Sequence, residues 1–419
     1  MAPLVHPGRP PLSAAFLPHC KALPSKRFLL ATGPSAVYEP SVLWNFVFGG
    51  LATLSLALLI WQWLVAIRFP LHTFQGPVLN LPPVTLLKPL KGCDEYTERC
   101  LRSWFTHDYP APVQILFAVA SPEDPVCGIV RNLQAEFPNH DSVLIVPKTL
   151  RGTNAKVAKL AELEALAKHE VVVISDADVL ISPQLLASVV APLSDSKVGL
   201  VNCFYRLANP TTQAMRWEAI AINADFWSQV LQAQSLKPMD FALGAVMATR
   251  QAQLSAFGGF DSLRDCLADD YQLGRRIARK GYSIQLSGSV VDCWDPPKGW
   301  GAVWRHQLRW ARTIRVSQPL PYFFSILSNP TLWPLLWALI RPGEWSLGFC
   351  VACIAIRIAI TANLQSRLTL SRDHFSWDWM APLKDLLQTA LWALAFAGNR
   401  VEWRGVRMRL RRDGTLAPL

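Results

Sequence analysis

The chain is short of charge. Asp, Glu, Lys and Arg make up only 17% of its 419 residues, against 51% hydrophobic, and the mean hydropathy is +0.21. Soluble domains carry about a quarter charged residues, so an enzyme bathed wholly in water is excluded and part of this chain belongs in lipid. Patterned cysteine is lacking too. Cys93, Cys100, Cys127, Cys203, Cys266 and Cys293 are scattered, without the close pairs of a zinc site or the density of a disulfide framework. Cys350 and Cys353 do form C-x-x-C, but inside the apolar run LGFCVACIAI, where small residues packing in a helix account for them. No cleavable signal is discernible, because the first apolar segment is too long and no small-residue cleavage site stands out. Residues 1–41, rich in Pro, Ser and Ala, read as a disordered tail.

What is present divides into membrane and α/β textures. The segment VLWNFVFGGLATLSLALLIWQWLVAI, residues 42–67, has no charge and exceeds the roughly 20 residues a bilayer needs. It is expected to be a transmembrane helix, anchored at the interface by Trp61, Trp63 and Arg68. Lysine and arginine outnumber acids 41 to 30, a net charge of +11, which fits an anionic membrane surface or an anionic ligand. The 17 tryptophans favour the membrane. The arginines flank membrane segments, so nucleic acid is not an expected partner.

From about residue 84 the runs VTLLKPL, QILFAVA, SVLIVP and EVVVISD read as strands, with helical stretches at 95–106, 125–137 and 155–168 between them. Apolar strands alternating with helices predict a parallel α/β sheet covered on both faces, with ligands beyond the carboxyl ends of its strands. Asp94 follows the first strand, Glu123 and Asp124 the second, Asp176 and Asp178 the fourth. Right-handed crossovers bring all of them to one edge. Asp176 and Asp178, separated only by Ala177, are expected to share a hard divalent cation, Mg²⁺ or Mn²⁺, together with the phosphates of a nucleotide. The bland alternative is a solvated turn.

Farther on, Asp269 and Asp270 precede a helix, where they serve either its dipole or proton abstraction from an attacking hydroxyl. Arg305, Arg309, Arg312 and Arg315 line one helix face, a solvated basic surface or an interfacial one against headgroups or phosphates. Arg309, beside Trp310, could neutralise a departing diphosphate. Three apolar segments follow, 322–340, 346–363 and 384–397, expected as two spans and one interfacial piece. Arg357 within the second must face protein, a cavity or a headgroup. The last residues, 401–419, are arginine-rich and are expected on the cytoplasmic side.

The order of these motifs resembles the ceramide glucosyltransferases, glycosyltransferase family 21, and more broadly the membrane-bound GT-A glycosyltransferases. The resemblance runs through KPLKGCD ending at Asp94, Asp108-Tyr109-Pro110, Gly152-Thr153-Asn154-Ala155-Lys156, Asp176, Asp269-Asp270-Tyr271 and His306-x-x-Arg309-Trp310. Trp403-Arg404-Gly405 is also similar. It implies a Rossmann-like GT-A domain over 82–320 and membrane segments over 321–400. It implies inverting, metal-dependent transfer of a sugar from a UDP-sugar to a lipid hydroxyl. By residue, Asp94 and Asp124 would hold the uridine, Lys156 would face the diphosphate, Asp176 and Asp178 would face the metal, and Asp270 would be the base. Arg309 and Trp310 would close over the donor, and Gly244 would lie near the acceptor. Ala155, Lys159 and His306 depart from the family pattern. The His306 form is closer to the bacterial relatives that act on hopanoids, so ceramide and a hopanoid both stand as acceptors. A multi-pass protein with its catalytic domain facing the cytoplasm follows, in a bacterial inner membrane or, in a eukaryote, the Golgi or ER.

Overall fold

Valine- and leucine-rich runs become strands where both of their faces can be covered. The computed structural model describes residues 40–73, 80–403 and 406–419, so the expected tail, apart from its last residues, and two of the three residues of the Trp-Arg-Gly motif lie outside the described residues. The chain opens with α1 (Pro40–Arg68), then alternates β1 (Val84–Pro89), α2 (Thr97–Arg102), β2 (Val113–Ala118), α3 (Val126–Glu136), β3 (Asp141–Ile145), α4 (Ala155–Glu164) and β4 (Val171–Ser175). There follow β5 (Val179–Leu180), α5 (Leu185–Val190), β6 (Val198–Leu207) and α6 (Gln213–Ile220). A π-turn (Ala221–Phe226) joins α6 to α7 (Trp227–Gln234), before β7 (Val246–Arg250), α8 (Gln251–Ser255), α9 (Asp269–Arg279) and β8 (Ser283–Cys293). The remainder is α10 (Trp300–Ser317), α11 (Pro319–Phe324), α12 (Leu332–Ile340), α13 (Glu344–Thr369), α14 (Ala381–Phe396) and the small strands β9 (Arg400–Trp403), β10 (Val406–Leu410) and β11 (Leu416–Pro418).

The main sheet has the order β3-β2-β1-β4-β7-β6-β8-β5. Its first four strands are parallel, but β7 pairs antiparallel with both β4 and β6, and β5 antiparallel with β8. The α/β expectation is met. The expectation of a uniformly parallel sheet is corrected, because α6 and α7 carry the chain back so that β7 enters against its neighbours. Alternate β1 residues serve opposite cores, Leu87 on one face and Val84 and Leu86 on the other. β1 crosses over to β2 on one side and abuts β4 on the other, which makes the carboxyl ends of β1 and β4 the topological switch point.

The two long apolar helices are built into the same core. Leu59 and Ala66 of α1 and Ile360, Leu364 and Leu368 of α13 join one face of the sheet. The Trp63 indole donates to Asn363 at 2.9 Å, and Gln62 donates to Ser228 at 2.6 Å. Among the described residues, α1 and α13 are each long and apolar enough to cross a membrane. The 322–340 segment is broken: α11 and α12 are bent by 53°, because Pro330 cannot continue a helix and Asn329 starts a new one by accepting from the Leu332 amide at 2.8 Å. Arg357 faces protein, as expected. Its guanidinium bonds Asp225 of the π-turn and Asp385 of α14 at 2.8–2.9 Å, and Lys384 completes a balanced set of two cations and two anions. Cys350 and Cys353 are buried free thiols.

Candidate functional site

One of the acids expected on the edge, Asp176, meets a lysine and a second acid, Asp269. The Asn154 side chain caps α4, accepting from the Lys156 and Val157 amides at 3.0 and 3.2 Å, which aims Lys156 across the carboxyl end of β4. Its ammonium lies 2.7 Å from Asp176 and 3.1 Å from Asp269, holding together two acids far apart in sequence. Those charges raise its pKa against a large opposing burial effect. Lys156 is therefore a counter-ion inside the cluster as well as a candidate for the diphosphate. Asp178 follows, its carboxyl raised to about 6 by burial first and then by the nearby Asp176 and Asp295.

Asp270 sits beside Asp269 at the start of α9. Burial, and then the adjacent Asp269 charge, push its carboxyl up to about 6, while Lys156 and the Tyr271 amide, 2.7 Å away, work in the other direction. Both acids are in the first turn and so also favour the helix dipole; dipole and chemistry are compatible roles. Gly244 lies directly against Asp270. A Cβ there would stand 2.7 Å from its Oδ2 and 3.3 Å from its Cγ. Gly244, expected near the acceptor, is thus in contact with Asp270.

Trp310 packs edge-on or tilted among Tyr205, Phe226 and His306, with centroids 6.5, 5.6 and 5.1 Å away. The Tyr205 hydroxyl is within electrostatic reach of Asp270, Asp176 and Arg309 together, and burial holds its pKa well above that of a free tyrosine. Tyr205 thus feels the charges of both the carboxylates and Arg309. The surroundings of Asp270 combine a buried carboxylate with a raised pKa, a fixed lysine on the adjacent Asp269 and the Tyr205–Trp310 aromatic pair, the equipment for moving a proton from a hydroxyl beside a polyanionic leaving group.

Residues 48–416 match the family model described as glycosyl transferase family 21. The chain belongs to that family. Among curated relatives, the ceramide glucosyltransferase of Candida albicans is 32% identical over 122 residues, 26% of this chain and 22% of that one. Ceramide glucosyltransferase 1 of Caenorhabditis elegans is 24% identical over 220 residues, 52% and 47% of the two chains. The chain thus spans about half the length of the latter and about a fifth of the former. A solved mannosyltransferase of Pyrobaculum calidifontis, in complex with GDP-Man and Mn²⁺, is 21% identical over 84% of this chain and 97% of its own, with a TM-score of 0.47.

Two expected donor residues of this family-21 chain spend their carboxylates on neighbouring loop groups. Both Asp124 oxygens accept from the Gly92 amide at 3.0 Å, and Oδ1 also from the Val126 amide at 3.1 Å. Asp94 caps its own turn through the Tyr96 amide at 2.9 Å and the Thr97 hydroxyl at 3.0 Å. Together they shape the loop after β1. His306 bonds Glu218 at 2.6 Å, and Gln307 also donates to Glu218. Although burial opposes it, the His306 bond keeps the Glu218 carboxyl below the usual range. No group of three or more His, Cys, Asp and Glu side chains among the described residues is disposed around one point. Asp178, set against the charges of Asp176 and Asp295, is of the oxygen-donor type that a hard divalent cation takes, and such a cation would relieve that repulsion.

Sequence reasoning missed Lys88 and Tyr205. Lys88 is wholly buried, donating to the Asp176 carbonyl at 2.7 Å and the Ser175 hydroxyl at 3.2 Å, with its ammonium 4.6 Å from the Trp104 ring centroid. A lysine in the middle of VTLLKPL was a readable signal, since buried lysines are rare. Tyr205 carried none, because only the tertiary fold brings β6 beneath α10. The expected basic face of α10 is corrected in part. Arg312 and Arg315 turn to the Arg400 carbonyl and the Asn399 side chain, so the C-terminal sheet covers that face.

Proposed function

We propose that this protein is a membrane-bound, GT-A-type inverting glycosyltransferase that moves a hexose, glucose first among candidates, from a UDP-sugar to a lipid hydroxyl. The observation that carries the reading is the contact of Gly244 with the buried Asp270 carboxyl, whose neighbour Asp269 is held by Lys156. Asp270 takes the proton as the acceptor oxygen attacks the anomeric carbon. The bond from that carbon to the diphosphate oxygen breaks on the opposite face, and UDP leaves with the electron pair. Lys156 and Arg309 neutralise the diphosphate, Asp94 and Asp124 shape the nucleotide loop, and Trp310 walls the donor. Asp176 and Asp178 would hold Mg²⁺ or Mn²⁺, which when bound spreads the charge of the leaving group.

Ceramide is the first acceptor to test, supported by the named relatives. A hydroxylated hopanoid is the second, favoured by His306, which engages Glu218. α1 and α13 would fix the domain to the membrane, with the cleft on the cytoplasmic side. The test is transfer from a panel of UDP-sugars to both lipids, in membranes holding wild type or Asp270→Asn. Transfer by wild type alone supports the reading. An active Asp270→Asn, or transfer to neither lipid, refutes the base or the acceptor respectively.

A further inference from the structure

A second polar feature lies away from the carboxylate cleft, where α10, the end of α14 and the C-terminal sheet meet. Arg312, Ala397, Gly398, Asn399, Arg400 and Arg409 line a hollow of about 410 Å³. Arg400 and Arg409 are direct cross-strand partners in β9 and β10, and like charges facing each other destabilise a sheet. Arg312 enters from α10, bonded to the Arg400 carbonyl, with Arg315 one turn farther on. Among the described residues no carboxylate pairs with Arg312, Arg315, Arg400 or Arg409; the nearby Glu402 is engaged instead by Arg305 and Arg407. The Nε atoms of Arg312 and Arg315 are shielded from solvent and find no protein acceptor. Three guanidiniums around one hollow, with Arg315 beside it and none of the four holding a carboxylate among the described residues, form a site that wants an anion with several oxygens.

The neighbourhood of the hollow says which kind of anion. Phe323, Phe324 and Phe396 are 45–55% exposed and, with Trp392, form one aromatic patch with ring centroids 5.1–6.3 Å apart. Leu320 beside them is 70% exposed. The patch adjoins the arginines directly, since the Arg315 guanidinium lies 5.7 Å from the Phe396 ring. It belongs in part to α11, the first limb of the bent apolar pair. A free phosphate would use the arginines and leave the aromatic surface in water. An amphiphile uses both, as interfacial proteins do.

We propose that this hollow binds the phosphate of an anionic membrane phospholipid, with its acyl chains against the Phe323–Phe324–Phe396 patch. The lipid bridges Arg400 and Arg409 and fastens the C-terminal sheet to α10 at the membrane surface.

The test uses the purified full chain in a non-ionic detergent and follows thermal unfolding. Dioctanoyl phosphatidylglycerol, dioctanoyl phosphatidylcholine and inorganic phosphate are added at equal concentration. Phosphatidylglycerol should raise Tm by about 2 °C or more, the other two should not, and Arg400→Gln/Arg409→Gln should lose the shift while Arg131→Gln on α3 keeps it. Arg409→Gln alone serves if the double variant does not fold. Equal shifts with phosphatidylcholine would reduce the surface to an apolar one, and equal shifts with phosphate would make it a soluble-anion site. Either result, or a shift undiminished in the arginine variants, overturns the proposal.

Discussion

Substituting Gly244 by alanine tests whether the proposed base is positioned by its surroundings. The new methyl would lie 2.7 Å from the Asp270 Oδ2 and 3.3 Å from its Cγ, where an ordinary contact needs about 3.4 Å, so the carboxylate must retreat by roughly 0.7 Å. A misplacement of about 1 Å at a reacting group costs on the order of 100-fold in rate, so kcat should fall about 10- to 100-fold. The overpacking itself should cost no more than about 1–3 kcal/mol of stability. Donor KM should change little, because the displaced group is not assigned to the nucleotide. The assay is sugar transfer in membranes with the lipid that wild type uses, for Gly244→Ala, Asp270→Asn and the double variant. The double variant should be no slower than Asp270→Asn, because the methyl acts only through the carboxylate. Wild-type rates in Gly244→Ala, or a further loss in the double variant, would refute the reasoning.

Further outcomes follow from the same geometry. Asp270, raised to about 6, must be ionised to accept a proton, so kcat/KM should fall about tenfold per pH unit below roughly 6; a profile flat down to pH 5 would contradict it. Lys88, lowered to about 7 chiefly by burial, binds its proton less tightly folded than unfolded, so stability should rise between about pH 7 and 10. Lys88→Met should flatten that rise in denaturant titrations across the range. Arg357→Met would leave Asp225 and Asp385 with only Lys384 between them, a loss of about 3–5 kcal/mol measurable as a large drop in thermal midpoint. Chelation with EDTA should abolish transfer, and Mg²⁺ or Mn²⁺ should restore it to wild type but poorly to Asp176→Asn/Asp178→Asn.

Much of the architecture was legible because it depends on local composition. An uncharged run of membrane length and valine-rich strands ending in acids identify a membrane helix and an α/β edge whatever lies elsewhere in the chain. The alternation of helix and strand placed Asp94, Asp124, Asp176 and Asp178 at one edge, and so it is in the structure. The reversed β7 was not legible. Strand direction is set by how α6, the π-turn and α7 return the chain, and its sequence, VMATR, reads the same either way. β8 was hidden for another reason: its serines and Gly288 resemble a loop, yet Gly288 is where the linker after α1 presses in, with a Cβ there 2.4 Å from the Pro70 carbonyl.

By itself the sequence determined which residues are chemically equipped: the paired acids, Lys156, and the arginines around Trp310. Only the tertiary structure decided their partners. It set Lys156 between Asp176 and Asp269, laid Gly244 against Asp270, brought Tyr205 to Trp310, and closed Arg357 between two acids from separate helices. Each of these is a contact across many intervening residues, made by packing and by the cost of leaving a buried charge alone. Neither term is written in any local stretch of the chain.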